Sequence, residues 1–554
     1  MEDTLNLNIG ILGHVDSGKT SLAKRISQIA STASFDKNPQ SQERGITIDL
    51  GFSSLKCPIP EHLKGPNDKL QHLQFTFVDC PGHASLLRTV IGGAQIIDMI
   101  ILVLDICKGI QTQTAECLIL GEVFCRRMVV VLNKIDMIPE EKRALTIQKM
   151  SKRMHLTLKD SIFKDSPIVS LAANPGGSDN SSQMPVGIDN LIEVLKSHAE
   201  IPERCPDKPL LFAVDHCFGI RGQGTVLTGT VLQGSVSLGD DIEIPSLKIL
   251  KKVKSMQMFR QNVNTAKQGD RLGICVKQLD SNKFERGIVC SPSYSSTIHA
   301  AIIPLNFIKY FKSHLNSHTK FHISIGYETV IARVTIFRSC TVEDSNFDVG
   351  KEYVYVKEFC HVDTNGKEVD DMKFKHFMLI EFETAVLTTP NCLVIGSRLD
   401  MDMHKNNCRL AFWGSLILGF TDKNYSKTDL PNLRIFSSKT KVGTIDRVVD
   451  RYTVIGKNIF KKDTNLAFFV GLEVGFSTGE MGIIEGGFGQ SGKIKIAVKS
   501  GGLSEGTMNR MEGKKKGKAA KDSGDTNEVT NSEPIRFTLS FKKFKYVTNK
   551  KITQ

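Results

Sequence analysis

The octapeptide Gly13-His14-Val15-Asp16-Ser17-Gly18-Lys19-Thr20 constrains the fold more than any other feature of the chain. It fits G-x-x-x-x-G-K-[ST], a pattern that needs a strand before it and a helix after it. Residues 7–12 read as that strand and 22–29 as that helix. Asp16, Ser17 and Gly18 would then curl their N–H groups around phosphate oxygens at a helix N-terminus. Lys19 would set its charge on the β and γ phosphates, and Thr20 would offer its hydroxyl to Mg²⁺.

The rest of the first 200 residues suits such a site. Apolar strand candidates at 7–12, 73–78, 99–104, 128–132 and 168–171 alternate with helical stretches. That order predicts a parallel sheet covered on both faces. Near Pro206 the texture changes to short alternating runs with glycine turns, at 210–215, 225–232, 241–244, 252–258 and 271–276. Such runs predict a small antiparallel barrel. A second all-β block covers roughly 296–419, and a third starts near Leu433 with candidates at 467–474, 482–485 and 493–498. The polar stretch 505–534 has almost no large apolar side chains and is expected to be a disordered loop. Residues 536–547 alternate again and are expected to return as a strand.

Composition narrows the class. With 554 residues, 40% hydrophobic and 24% charged, the chain is long enough for several separate cores. The longest clean apolar run, 99–104, is too short to cross a bilayer. Asp3, Asn6 and Asn8 interrupt the N-terminal stretch, so no signal segment is expected. The 13 cysteines form no C-x-x-C pair, and several, such as Cys80 and Cys107, sit in apolar contexts, which favours reduced thiols over disulfides or zinc. A soluble cytoplasmic protein with no membrane partner is the expectation. The net charge of +13 is uneven: residues 431–554 hold 23 Lys and Arg against 12 Asp and Glu, and the remainder 49 against 47. The C-terminal part therefore reads either as an RNA-binding surface or as a solvated basic face.

Three further motifs choose the nucleotide. Asn133-Lys134-Ile135-Asp136 follows the strand 128–132. An aspartate there accepts both N–H groups of a guanine edge, which adenine does not present; Asn133 would bond the other edge and the Lys134 stem would cover the base. Asp79-Cys80-Pro81-Gly82-His83 ends the strand 73–78, where Asp79 would hold Mg²⁺ through water and the Gly82 N–H would meet the γ-phosphate. Arg44-Gly45-Ile46-Thr47 lies in a polar segment, with Thr47 placed to reach Mg²⁺ only when the γ-phosphate is present. The expected ligands are GTP and Mg²⁺.

In this order GHVDSGKT, RGIT, DCPGH and NKID resemble the translational GTPases related to elongation factor Tu. The resemblance implies that His83 orients the attacking water, behind an apolar gate of Val15 and Ile46, and that ribosomal RNA triggers an otherwise slow hydrolysis. The family's Ser-Ala base-contacting motif falls on Ala172-Ala173, so only backbone contacts carry over there. The fold class implied is multidomain: an α/β P-loop GTPase domain (1–204) followed by three small β-barrel-type domains (205–295, 296–430 and 431–554).

Longer segments are similar to the eukaryotic selenocysteine-specific branch of that family: 31–52, 78–98, 214–230, 251–259, 269–276, 394–400, 409–414 and 488–496. The branch implies selenocysteyl-tRNA, the ribosome, and the mRNA hairpin (SECIS) with its binding protein as partners, the last two through the fourth domain. It also implies a GTPase that delivers its tRNA at UGA codons and works as a monomer. Asp215, His216 and Arg286 match the branch's selenocysteine pocket, with cationic His216 and Arg286 favouring a selenolate. Residue chemistry alone leaves open that Asp215 and Arg286 are an ordinary inter-strand pair while His216 packs in the barrel. In the fourth domain Lys457, Lys461, Lys462, Lys542, Lys543 and Lys545 are candidate phosphate contacts, and the interleaved Phe541, Phe544 and Tyr546 read as core. Lys514, Lys515, Lys516 and Lys518 form a run that reads as a nuclear import signal, an RNA tether or a solvated loop. His314, His318 and His322 have helical metal-stripe spacing, but 320–325 reads as strand, which argues against a metal site.

Other readings remain: a different tRNA-delivering factor, a metabolic accessory GTPase on the same scaffold, or an RNA-binding adaptor with a vestigial site. The basic fourth domain argues against the first. Intact Lys19, Thr20, Thr47, Asp79, His83 and Asp136 argue against the last.

Overall fold

The apolar runs near the start of the chain are too continuous to show which face each side chain takes. In the computed structural model the strands Met99–Asp105 and Met128–Asn133 divide by alternate residues. Ile100, Leu102, Leu104, Met128, Val130 and Leu132 enter one core layer, while Met99, Ile101, Val103, Val129 and Val131 enter the other. A sheet buried on both faces requires this two-sided division. Residues 4–27, 29–30, 51–65, 70–81, 96–176, 183–326, 328–344, 346–359, 373–400, 408–489, 492–499, 501–510, 534–547 and 552–554 are described.

The sheet has seven strands in the order Ile29–Ala30, Gly51–Pro58, His72–Asp79, Thr4–Gly13, Met99–Asp105, Met128–Asn133, Ile168–Ser170. All five strands expected from the sequence are present, and their pairings are parallel. Gly51–Pro58 was not expected; it runs antiparallel to His72–Asp79, with Gly51 opposite Asp79 and Phe52 opposite Val78. Its first five residues are all buried, including Ser53 and Ser54, so it carries no alternation to read. Strand order reverses around Thr4–Gly13, which places the phosphate motif at the crevice where open α/β sheets bind ligands.

The second block closes on itself. Asp241–Ile244, Gly287–Cys290, Leu211–Ile220, Gly224–Gln233, Arg271–Val276 and Ile249–Met258 follow in order, and Ile249–Met258 pairs back to Asp241–Ile244. A closed barrel has no exposed edge.

The chain divides into two compact units, residues 1–334 with 380–421 and residues 335–379 with 422–554, so the block expected at 296–430 is shared between them. The second unit contains another closed barrel: Ile435–Asp450, Thr453–Lys457, Lys493–Val498, Met481–Phe488, Glu473–Phe476 and Arg536–Phe544, which returns to Ile435–Asp450 over nine residue pairs. The expected return strand is therefore present, and Phe541 and Phe544 are buried. Two expectations change. Residues 466–469 form a 3-10 turn ahead of the strand Glu473–Phe476. Residues 505–510 are helical, with Thr507 buried, where disorder was expected from Glu505 onward. Lys514 to Lys518 lie outside the described residues.

Candidate functional site

The phosphate loop is built on backbone that few residues tolerate. Gly13 has φ +150°, Asp16 +61° and Gly18 +90°. A Cβ on Gly18 would stand 2.3 Å from Asn133 Nδ2, so the position needs glycine for space as well as for conformation. The helix Lys19–Ile26 starts here, with Leu22 N–H donating to Gly18 O at 2.9 Å. Lys19 Nζ is nearly buried and donates to His14 O at 2.8 Å. Burial lowers its pKa, opposed by the nearby Asp79 carboxylate. Thr20 Oγ1 donates to Asp79 Oδ2 at 2.7 Å, across the register that sets Ile11 beside Asp79. Ser17 Oγ is buried with no hydrogen-bond partner among the described residues. A buried ammonium, an orphaned hydroxyl and a hydroxyl bonded to a carboxylate fit a triphosphate with a hard divalent cation. Val15 N–H donates to Gln113 Oε1 at 3.4 Å, at the start of the helix Thr112–Phe124.

The base end is arranged differently from the sequence expectation. Asn133 is buried, and its amide donates to Ser17 O at 2.9 Å and accepts from Ala173 N–H at 3.1 Å. It ties the phosphate loop to the 172–173 segment and still keeps one N–H and one lone pair for a base edge. The Ala172 N–H is spent on Val186 O and the Ala173 N–H on Asn133, so neither N–H supplies the expected backbone contact in this arrangement. Lys134, at φ +66°, pairs with Asp105 at 3.0 Å. Burial would raise the Asp105 pKa, but Lys134 and the N–H groups of Cys107 and Lys108 overcome it and hold it low. Asp136 stays partly exposed and accepts from the Gly176 N–H at 3.3 Å, which leaves acceptor capacity for a guanine edge. Ile46, Thr47, Gly82 and His83 lie outside the described residues.

In the barrel, Val214 pairs with Gly229 and His216 with Thr228, so Asp215 is the extra residue of a bulge. Bulges re-aim side chains. Here Asp215 Oδ1 accepts from Thr228 Oγ1 at 2.9 Å and Oδ2 from Arg271 at 2.5 Å. His216 is the next residue, half-buried. Arg286 does not join this cluster: it is half-exposed and lies 3.8 Å from Glu285. The arginine that meets Asp215 is Arg271, buried at 5% exposure. The sequence carries one cue to it: Arg271 is a charge opening an otherwise apolar barrel strand. The histidine trio is not a helical stripe, since His318 has φ +69° and His322 lies on the strand Lys320–Ile325. Among the described residues no group of three ligating side chains is placed to hold a metal.

Comparison with known proteins bears on this arrangement. Residues 4–216 match the elongation factor Tu GTP binding domain and 224–291 its domain 2. Residues 302–414 match the eukaryotic selenocysteine-specific elongation factor third domain, and 431–550 the eEFSec C-terminal RIFT domain. The selenocysteine-specific elongation factor of Mus musculus is 49% identical over 99% of both chains. The chain belongs to the selenocysteine-specific elongation factors. The Methanocaldococcus jannaschii member is 29% identical over 88% of this chain and 93% of its own. The crystal structure of translation elongation factor SelB from Methanococcus maripaludis, in complex with the GTP analogue GppNHp, shares the fold with a TM-score of 0.65. It is 24% identical and covers 97% of this chain and 98% of its own. This selenocysteine-specific factor is thus a translational GTPase whose GTP-binding domain is followed by β-barrel domains.

Proposed function

We propose that the GTP form binds selenocysteyl-tRNA, carries it to the ribosomal A site at UGA codons and hydrolyses GTP on codon recognition. The observation that carries this reading is the Asp215–Arg271 pair beside His216, held on a barrel bulge in a chain of this family. A selenol ionises more readily than a thiol, whose reference pKa is about 8.5. The Arg271 guanidinium, next to His216, then donates a charged hydrogen bond to a selenolate, while Asp215 serves the α-amino group. Serine stays neutral and gains only an ordinary hydrogen bond, about 1 kcal/mol against about 1.5–3 for a charged one.

Lys19 and the loop N–H groups bind the phosphates, and Asp136 reads the base. Thr20 and Asp79, together with Thr47, would hold Mg²⁺, which would supply charge neutralisation at the phosphate oxygens. Gly82 senses the γ-phosphate, and His83 orients water behind Val15 and Ile46. The second unit meets RNA. Lys457 and Lys542 are in ion pairs with Asp446 and Glu352 and Lys545 lies over the Tyr355 ring, so exposed Lys461, Lys462 and Lys543 are the better phosphate contacts, for tRNA or for the SECIS hairpin and its binding protein. The factor acts as a monomer in the cytoplasm, with the Lys514–Lys518 run admitting a nuclear pool.

The deciding measurement compares the affinity of the GTP form for selenocysteyl-tRNA and for seryl-tRNA on the same tRNA body. Tighter selenocysteyl binding is expected, by roughly twofold to thirtyfold. Equal affinities overturn the reading.

A further inference from the structure

Arg271 has a second partner. Its guanidinium carbon lies 3.2 Å from the ring centroid of Phe52, at the start of the strand Gly51–Pro58. Phe52 is 1% exposed, and its place in the GTPase core holds the ring still. Gly51 beside it pairs with Asp79, which in turn accepts from Thr20. An unbroken set of contacts thus runs Thr20, Asp79, the Gly51-Phe52 backbone, the Phe52 ring, Arg271, Asp215.

The approach of Arg271 is fixed independently. Asn6 Nδ2 and Asn8 Nδ2 both donate to Gly269 O, at 2.6 and 2.9 Å, two residues before Arg271. Asn6 Oδ1 accepts from Thr76 Oγ1 at 2.7 Å. Arg204 lies against Gly269 and pairs with Asp98 at 2.7 Å. These buried, partnered polar groups lock the barrel turn to the first strand of the GTPase sheet, so a shift of Phe52 cannot be absorbed by sliding the turn.

We infer that Phe52 is a positioning residue: it sets the Arg271 guanidinium for the aminoacyl group and so ties cargo affinity to the nucleotide. This rests on the proposed function, since it takes the Asp215–Arg271 pair as the cargo site. A desolvated cation–π contact is consistent with a coupling of roughly fivefold to thirtyfold. By linkage the same factor appears in both directions, nucleotide on cargo and cargo on nucleotide.

The test uses the full chain and Phe52→Leu, which keeps an apolar side chain but removes the ring face. Selenocysteyl-tRNA affinity is measured with GTP and with GDP, alongside affinity for deacylated tRNA and for GTP alone. The expected result is a GTP-to-GDP ratio of selenocysteyl-tRNA affinities reduced about fivefold or more, with GTP and deacylated tRNA bound as before. An unchanged ratio overturns the inference, as does an equal loss with both nucleotides. Arg271→Lys provides a second arm if Phe52→Leu fails to bind GTP: it keeps the charge on Asp215 but lacks the planar face, so the ratio should fall likewise. An unchanged ratio there also overturns the inference. If wild type does not distinguish selenocysteyl- from seryl-tRNA, the proposed function has failed; if it does and both variants keep its ratio, only the inference has.

Discussion

At the scale of single residues the site divides by how locally each side chain is determined. Lys19, Thr20, Asp79 and Asp136 stand where motif and element order put them, because strand ends and a helix start fix their directions. Asp136 carries the sharpest consequence. Its carboxylate suits two donors on the base, whereas an amide presents one donor and one acceptor. Asp136→Asn should therefore weaken GTP by about 10²-fold, the value of losing a charged pair of hydrogen bonds. It should strengthen xanthosine triphosphate, whose C2 carbonyl replaces guanine's amino group; competition between the two nucleotides on the full chain checks both directions. Asn133 was less legible, since its amide also bonds Ser17 O and the Ala173 N–H, a three-loop tie that motif order does not reveal. Arg286 stood in for Arg271 for a similar reason. Which arginine reaches Asp215 depends on the bulge between Val214 and His216, and one inserted residue leaves no mark on strand alternation. Asn6 and Asn8, which in sequence merely interrupt an apolar stretch, are buried anchors for Gly269, 261 or more residues away.

At the scale of elements, strands with clear runs were legible and those with small buried polar residues were not. Gly51–Pro58 hides because Ser53 and Ser54 are buried in it. The helical turn at 505–510 hides because its support comes from another strand's end. Glu480 Oε1 accepts from Ser504 Oγ at 2.8 Å and Thr507 Oγ1 at 2.7 Å, and Oε2 accepts from Thr478. Burial alone would raise the Glu480 pKa, but the hydroxyls of Thr478, Thr507 and Ser504 overcome it and hold it at about 2, against an ordinary 4.5. A depressed carboxylate stabilises the fold fully above its unfolded pKa, and that contribution disappears as pH falls through the folded value. The barrel of the second unit should therefore lose stability between about pH 4.5 and about pH 2 in wild type. Glu480→Gln should be less stable at neutral pH and lack that component of the acid dependence. Chemical unfolding of the full chain at several pH values, followed in the transition of the second unit, measures the difference; parallel curves for the two proteins would refute the assignment.

At the scale of the molecule, the GTPase sheet is tied to residues far along the chain by buried charge as well as by Phe52 and Gly269. Glu116 on the helix Thr112–Phe124 meets Arg409 bidentately, at 2.9 and 2.8 Å, with the side chains 7% and 6% exposed. The pair links residues 293 apart within the first unit, so no local pattern announces it. Gln113 of the same helix accepts from Val15 N–H in the phosphate loop, so the helix joins the nucleotide to Arg409 through one rigid element. Desolvation decides what the pair is worth. Removing one partner leaves a buried uncompensated charge and costs about 3–5 kcal/mol, whereas replacing both by apolar residues of similar volume is often neutral or better. Arg409→Met should accordingly lower the unfolding free energy of the first unit by that amount and leave the second unit's transition in place. Adding Glu116→Met should restore most of the loss. Urea unfolding of the single and double variants reads this directly, provided the two units give separate transitions. If the double variant recovers stability but its GTP-to-GDP preference for cargo falls, the ion pair contributes conformational specificity beyond stability. If stability and preference both recover, the helix needs only to be packed there, and Phe52 with Arg271 remains the contact through which nucleotide and cargo are coupled.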